Sequence, residues 1–209
     1  SMISGISVLD NILGDITSGL MVVYGDAASG KTTLSLQYSA SVLKSKGRVL
    51  FISTENELFI DRLCNMIEDE ELLDRMELII VRSFDTQNLI ILNLLTRQGI
   101  SRYYNLLVVD SLTALYRLAS YSDEKALSKL NMQLAILSNI SRQLPVIVTS
   151  QVRGEEEGFE ILARSIMRYW ADYIIKLEIA KEGLRKLTIE KPMDKYRILN
   201  LSMAERGLS

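Results

Sequence analysis

The sequence predicts an α/β fold in which a wide, mainly parallel sheet is covered by helices on both faces. Short β-branched runs alternate along the chain with longer stretches of helical periodicity, a pattern typical of parallel sheets wrapped by helices. The last two runs are separated only by a short segment that contains Lys181, Glu182 and Gly183, which is typical of a hairpin turn. We therefore expect an antiparallel edge at the C-terminal end of the sheet.

Seven strands follow from these runs. They cover residues 20–25, 48–53, 77–82, 105–110, 145–150, 172–178 and 185–191. Helices are predicted to begin near Lys31, Glu57, Thr86 and Glu124. The last of these helices carries apolar residues at three- and four-residue spacing, at Leu130, Leu134, Leu137 and Ile140. No repeat or linker divides the chain, so residues 2–209 are predicted to form a single domain, with Ser1 interpreted as the remnant of an expression tag.

The composition narrows the classes of function. Apolar residues make up 48% and charged residues 24% of the chain, as in an ordinary globular protein. The net charge of −2 argues against a strongly basic nucleic-acid surface and leaves only a local patch for DNA contact. The absence of histidine excludes histidine base catalysis, and the single Cys64 fits a reducing compartment. No apolar run approaches the ~18 residues of a membrane span, so we expect a cytoplasmic protein.

A phosphate-binding loop is the strongest signal in the sequence. Residues 25–32 fit G-x-x-x-x-G-K-[ST] directly after an apolar strand and before an amphipathic helix. The predicted nucleotide-binding residues are Gly25, Asp26, Ala27, Ala28, Ser29, Gly30, Lys31, Thr32 and Thr33. Backbone N–H groups and the helix dipole favour an anion here, Lys31 is expected to bridge the outer phosphates, and Thr32 is expected to ligate Mg²⁺. The predicted ligand is ATP with Mg²⁺, and the alternative is a chance Gly-Lys-Thr turn.

Three further polar residues follow predicted strands and complete this site. Asp110 ends the apolar run LLVVD and is the predicted second Mg²⁺ group, unless the strand simply meets a loop there. Hydrolysis also needs a group that activates or orients water, and Glu55 and Gln151 follow two other strands. Because the carboxyl ends of parallel strands share one edge of a sheet, all three are expected to lie near Lys31. The alternative for Glu55 and Gln151 is an ordinary cap or turn residue.

Five segments together resemble the ATPase core of the RecA-type recombinases, most closely the archaeal RadA and RadB group with its KaiC-like relatives. These segments are GISVLDNILGDITSGLMVVYG, FISTENELFIDRL, VVDSLTALYR, VIVTSQV and LTIEKPMDK. The resemblance implies that Glu55 activates water, Asp110 holds magnesium and Gln151 senses the γ-phosphate ahead of a DNA-binding loop. It also implies that Arg62 stacks on the adenine and that Lys191 reaches the nucleotide of an adjacent subunit. The alternative for both cations is a solvated charge.

The departures from the family pattern favour an accessory paralogue over a full recombinase. The chain starts at the ATPase core, so we expect neither the amino-terminal DNA-binding domain nor the subunit-linking arm, and no filament. The loop after Gln151 carries Glu155, Glu156 and Glu157 in succession. Three adjacent carboxylates repel a phosphate backbone, so strand exchange by this chain alone is not expected.

Contact with single-stranded DNA is nevertheless predicted as a modest activity. Basic and aromatic residues gather after Asp110 and around the acidic run: Tyr116, Arg117, Tyr121, Lys125, Lys129, Arg153, Arg164 and Arg168. Such residues together suit single strands. The alternative is that the charges are solvated and the tyrosines pack on the core.

Two functions follow from these observations. The first is an ATP-binding, slowly hydrolysing accessory factor in homologous recombination and DNA repair. The second is a nucleotide-switched interaction module that docks on a recombinase or KaiC-like partner without a direct DNA role, as the acidic loop suggests. A nucleotide site between subunits would make the protein a homo-oligomer.

Overall fold

The structure, a computed structural model, describes residues 1–55, 59–151 and 158–209. These residues form nine strands. The strands are β1 (Gly19–Gly25), β2 (Val49–Ser53), β3 (Met76–Ile80), β4 (Leu106–Asp110), β5 (Pro145–Gln151), β6 (Tyr173–Lys181), β7 (Leu184–Lys191), β8 (Arg197–Ala204) and β9 (Gly207–Leu208). The helices are α1 (Ser7–Leu13), α2 (Lys31–Lys44), α3 (Phe59–Met66), α4 (Glu70–Leu73), α5 (Phe84–Leu94), α6 (Ile100–Tyr103), α7 (Ala114–Ala119), α8 (Ala126–Ile140) and α9 (Gly158–Trp170), with a 3₁₀ turn at Met193–Lys195.

The strands make one sheet in the order β3-β2-β4-β5-β1-β6-β7-β8-β9. Strands β1 to β6 pair in parallel, and β7, β8 and β9 extend the sheet in antiparallel fashion. The predicted α/β class with an antiparallel C-terminal edge is therefore confirmed, and so is the hairpin turn, which lies between Lys181 and Leu184. The predicted count of seven strands is wrong, because β8 and β9 continue the sheet beyond the last predicted strand.

Apolar residues fill both faces of the sheet, as the fold class requires. Successive residues of β1 alternate between the two faces, so Val22 packs in one core and Val23 in the other. One core lies under α5, α7, α8 and α9, and the other lies under α1, α2 and α3 together with β8 and β9. The four predicted core positions of α8, from Leu130 to Ile140, are buried.

The helix starts agree with the sequence where the structure describes them. Helix α2 begins at Lys31, α5 at Phe84 and α8 at Ala126, each within two residues of its predicted start. The start predicted near Glu57 lies outside the described residues. None of the helices in the described ranges combines the length and the apolar character that a membrane span requires.

Helix α9 is a finding that the sequence interpretation missed, because residues after Gln151 were interpreted as a loop. Ala163 and Met167 of this helix are buried four positions apart, as on any core-facing helix. Its opposite side is also apolar, since Ile161, Leu162 and Tyr169 are exposed there. The sequence does carry a helical signal here, because Leu162, Ile166 and Trp170 recur at four-residue spacing, but the interpretation did not use it.

The sheet register brings the ends of four strands to one edge. Ser53 at the end of β2 pairs with Asp110 at the end of β4, and Gly25 at the end of β1 pairs with Gln151 at the end of β5. Gly25 also approaches β6 closely, because a methyl group at Gly25 would lie 2.1 Å from the carbonyl oxygen of Leu177. Only glycine therefore fits at the point where β1 turns into the following loop.

A Gly25→Ala variant tests this close approach. The added methyl group has to displace the backbone of β6, so we expect the free energy of unfolding to fall by about 1–3 kcal/mol or more, measured by urea denaturation. Gly158→Ala is the matched control, since a methyl group there meets no atom of the described residues within 4 Å. Equal stability of the two variants would show that β1 and β6 are not packed as described.

Tyr38 is the largest of the buried polar side chains on helix α2. Its side chain is buried, and its hydroxyl has no hydrogen-bond partner within the described residues. Burial raises the pKa of Tyr38 far above its usual value of 10.0, and the negative charge of Asp10 adds to the effect. The phenol therefore stays protonated in the folded protein at a pH where the unfolded chain ionises.

Tyr38→Phe is expected to be neutral or stabilising at pH 7, because it removes a hydroxyl that is buried without a partner. A raised pKa in the folded state gives stability that is complete below the unfolded pKa and is lost as the pH rises above about 10. The variant should therefore lose less stability than the wild type between about pH 9 and pH 11. Denaturant titrations across this range measure the difference, and parallel pH curves would contradict the assignment.

Candidate nucleotide-binding site

The turn between β1 and α2 has the backbone of a phosphate cradle. Gly30 precedes the first residue of α2 with a φ of 112°, and Ala28 has a φ of 61°, both in the left-handed region that bends the chain sharply. The amides in the first turn of a helix have no carbonyl partner within that helix. The turn thus presents donors and the positive end of the α2 dipole to the same space.

Lys31 adds a cation to this cradle. Its Nζ donates to the carbonyl oxygens of Gly25 at 3.0 Å and Asp26 at 2.7 Å. An ammonium group has three protons, so one more remains for an anion. Burial lowers the pKa of Lys31 below its usual value of 10.5, while the carboxylates of Asp110, Asp26 and Glu55 act in the opposite direction. A negatively charged phosphate in the cradle would likewise raise the pKa of Lys31 and favour its charged form.

Ser29 provides an independent sign that the cradle suits an anion. Its Oγ is buried and has no hydrogen-bond partner among the described residues. Buried polar atoms are nearly always paired, so an unpaired hydroxyl inside this loop indicates a missing acceptor or donor. The residues present therefore fit a bound nucleotide phosphate.

Asp110 completes the site from the neighbouring strand. The residue is only 3% exposed. One carboxylate oxygen accepts a hydrogen bond of 2.7 Å from Oγ1 of Thr32, and the other accepts one from Oγ1 of Thr149 on β5. A hydroxyl and a carboxylate side by side are typical of Mg²⁺ sites that take their remaining ligands from water and phosphate. Within the described ranges, no group of three or more acidic, cysteine or histidine side chains is arranged to hold a metal ion by itself. Thr32 and Asp110 are therefore the candidate ligands, with water and phosphate supplying the rest.

Glu55 lies beyond the end of β2 on the same edge of the sheet. The backbone N–H of Thr54 donates to the carbonyl oxygen of Asp110 at 2.8 Å. The hydroxyl of Thr54 bonds both the N–H and the carbonyl of Ser111, so the ends of β2 and β4 are tied together. Glu55 follows this tie with an exposed side chain, and its carboxylate is close enough to influence the pKa of Lys31.

Gln151 is linked to the two segments that flank it in space. Nη2 of Arg117 on α7 donates to the carbonyl oxygen of Gln151 at 2.9 Å. The same guanidinium forms a largely buried ion pair with Glu160 in the first turn of α9. Arg117 therefore connects the end of β5 to the helix that follows residues 152–157 in the sequence.

The other two predicted cofactor residues lie in different places. Arg62 on α3 is near the start of α2, where its Nη1 donates to Oγ1 of Thr33. Lys191 lies at the far end of β7, level with Ile174 of β6, whereas the end of β1 is level with Leu177. Its Nζ donates to the carbonyl oxygen of Arg168 at 3.2 Å. Lys191 is thus outside the phosphate loop of its own chain, and any role at an adjacent subunit stays a prediction.

Tyr116 does not serve as a DNA-stacking residue, which corrects the prediction for it. It is 2% exposed and packs against Phe84 with ring centroids 6.0 Å apart. The alternative that the tyrosines pack on the core holds for Tyr116, because it lies on the buried face of α7. Tyr121, in contrast, is 71% exposed.

Most of the described basic residues predicted to contact DNA are already bonded to acidic or aromatic side chains of this chain. Lys129 bonds Asp123 at 2.7 Å, and Arg168 bonds Glu190 at 3.0 Å. Arg164 lies over the ring of Tyr24 at 5.1 Å. Arg164 and Arg168 help to line a small cavity of about 30 Å³. Lys125 remains exposed, and Arg153 and residues 155–157 lie outside the described residues.

Three residues that the sequence interpretation missed contact the site. The hydroxyl of Thr54 accepts from the backbone N–H of Ser111, the residue after Asp110, and the hydroxyl of Thr149 donates to the carboxylate of Asp110. Arg185 of β7 donates to the carbonyl of Ser29 in the phosphate loop. Thr149 had a detectable signal, because it lies in a strand that ends at a predicted site residue. Arg185 had none, since 156 residues separate it from its partner Ser29.

Known proteins resemble this chain over nearly its whole length. The sequence profile of the Rad51 family matches residues 1–191. The DNA repair and recombination protein RadB of Thermococcus sibiricus is 32% identical over 98% of this chain and 93% of its own length. The protein of the same name from Methanocaldococcus jannaschii is also 32% identical, over 94% of this chain and 96% of its own length.

A solved structure agrees with the sequence comparisons. The crystal structure of the RadB recombinase superposes with a TM-score of 0.77 at 31% identity, and the match covers 100% of this chain and 98% of that one. The resemblance to RecA-type recombinases and the archaeal RadB group is therefore confirmed. With the phosphate loop, the acidic strand end and the parallel sheet in the same chain, this protein belongs to the Rad51 family.

Proposed function

We propose that residues 2–209 form a single ATPase core that binds Mg²⁺ and ATP, hydrolyses ATP slowly and acts as an accessory factor in homologous recombination and DNA repair. The observation that carries this proposal is the direct contact of Thr32 with Asp110 beside Lys31 at the head of α2. Family membership supports nucleotide use, because Rad51 and RecA proteins are generally ATPases. We place the protein in the cytoplasm, where a repair factor meets DNA.

The site residues have distinct tasks in this proposal. When bound, ATP supplies the phosphoanhydride bond that breaks and Mg²⁺ supplies charge that offsets the phosphates. Lys31 and the first-turn amides of α2 hold and orient the outer phosphates, and Thr32 with Asp110 holds the metal side. Glu55 accepts the proton of the attacking water at its carboxylate. The chain contains no histidine that could take this role instead. Arg62 stacks on the adenine.

Gln151 is proposed as the group that senses the γ-phosphate. Its backbone is held by Arg117, which also holds Glu160 in α9. A shift of Gln151 would therefore reach both α7 and α9, the two helices that adjoin the predicted DNA contacts. Lys191 would act on the nucleotide of an adjacent subunit if the protein forms a homo-oligomer or pairs with a recombinase or paralogue, as its distance from its own loop supports.

The names of the relatives favour recombination and repair over the alternative of an interaction module without a DNA role. The relative from Thermococcus kodakarensis, which is 34% identical over 90% of this chain, also carries the name DNA repair and recombination protein RadB. Single-stranded DNA is the proposed nucleic-acid partner. Exposed Tyr121 and Lys125 are the described residues best placed for modest contact.

Lys31→Ala tests the enzymatic part of the proposal. Loss of the ammonium group removes stabilisation of charge on the outer phosphates, so we expect ATP turnover to fall by about 100-fold or more. Phosphate release measured with and without single-stranded DNA gives the rates. Lys44→Ala at the exposed opposite end of α2 is the matched control and should keep wild-type turnover. Wild-type protein without any turnover would remove the hydrolysis proposal.

Salt dependence tests the DNA part. Phosphate contacts release counterions, so the affinity for labelled single-stranded DNA should fall steeply as salt rises in the presence of Mg²⁺ and ATP. Lys125→Ala should reduce the slope of log affinity against log salt by about 0.7, the value for one phosphate contact on a single strand. Lys44→Ala should leave the slope unchanged. Absence of binding at low salt would instead favour the interaction module.

A further inference from the structure

The C-terminal strands contact the phosphate loop directly. Arg185 is a half-buried residue of β7 whose Nε donates to the carbonyl oxygen of Ser29 at 3.1 Å. Its Nη2 donates to the carbonyl oxygen of Ala28 at 3.2 Å. One guanidinium therefore binds two consecutive carbonyl groups of the loop from the side of the sheet extension.

These two bonds fix the direction of the loop peptides. A trans peptide group is planar, and its N–H points away from its own carbonyl oxygen. The N–H of Gly30 belongs to the same peptide group as the carbonyl of Ser29, so binding that carbonyl to Arg185 turns the Gly30 amide to the opposite side. Gly30 is the residue directly before α2, where the amides face the predicted phosphate position.

A second contact supports the same part of the loop. A methyl group at Gly30 would lie 2.9 Å from Cε of Met203 on β8 and 3.4 Å from Cδ1 of Leu208 on β9. Leu208 is in turn held by Gln37 of α2, which accepts from its N–H at 2.8 Å and donates to its carbonyl at 2.9 Å. The three C-terminal strands thus pack against the loop and against the helix that it begins.

We propose that Arg185 is a positioning residue for nucleotide binding, which holds the Ala28 and Ser29 carbonyls outward so that the Gly30 amide is presented to phosphate. This inference rests on the proposed nucleotide-binding function. It makes the affinity for nucleotide depend on the docking of β7, β8 and β9, which lie on the far side of β6 from the predicted phosphate and magnesium residues. Arginine suits the task because its planar fork can serve two acceptors at once, whereas lysine is a single point charge.

The test measures binding of Mg²⁺-ADP by calorimetry to the wild type and to Arg185→Ala, Arg185→Lys and Lys186→Ala. Lys186 is the matched control, because it is the next residue of β7, points to the opposite face and pairs with Glu178. Loss of two charge-assisted hydrogen bonds predicts that Arg185→Ala weakens binding about tenfold or more. Arg185→Lys should recover only part of this loss, and Lys186→Ala should bind as the wild type does.

Two measurements without nucleotide separate positioning from simple stability. Amide hydrogen exchange of residues 28–32 should be faster in Arg185→Ala than in the wild type, because the loop is no longer held. The melting temperature of this ligand-free variant should fall by only about 2–4 °C, because the lost hydrogen bonds are partly exposed and the core is untouched.

Several results would overturn the inference. Wild-type affinity in Arg185→Ala would show that the loop does not need the residue, and wild-type affinity in Arg185→Lys would show that charge alone suffices. A lower melting temperature with unchanged exchange in the loop would reduce Arg185 to a structural role. If the wild type itself fails to bind the nucleotide, the proposed function fails, which differs from a failure of this inference alone.

Discussion

The carboxylate of Asp110 is the contact on which the arrangement of the site depends. It joins three elements that are distant in sequence, since it ends β4 and accepts hydrogen bonds from Thr32 of α2 and Thr149 of β5. A buried carboxylate without such partners would cost several kcal/mol. The two hydroxyls and the nearby ammonium of Lys31 offset that cost, and in doing so they hold the head of α2 against the edge of the sheet.

The same contact explains why the loop is shaped before a ligand arrives. Lys31 is anchored by the carbonyls of Gly25 and Asp26, and Thr32 is anchored by Asp110, so the two chemically active side chains at the head of α2 are already oriented. Oriented donors lose little conformational entropy when they bind a phosphate. The preorganisation comes from contacts within the loop, from the parallel register of β1, β4 and β5, and from the bonds of Arg185 on β7 to the loop carbonyls.

The sequence predicted the parallel part of the fold and the chemistry at its edge for one reason: the signals are local. A strand, a glycine turn and a helix occur consecutively around Lys31, and Asp110 ends an apolar run. Strand β8 had a usable signal in the alternation of Leu199, Leu201 and Met203, but its face is only partly buried and the period was not used. Helix α9 had a similar unused signal in the four-residue spacing of Leu162, Ile166 and Trp170. The buried position of Tyr116, in contrast, depends on tertiary contacts that the spacing does not reveal.

The guanidinium of Arg117, which pairs with Glu160, anchors the strand end beside the nucleotide site. Arg117 also binds the carbonyl of Gln151, so Gln151 and Glu160, which lie on either side of residues 152–157, are attached to a single guanidinium. Because Gln151 and Glu160 are both anchored to Arg117, the strand end beside the nucleotide keeps its place through contacts that do not involve the residues between them.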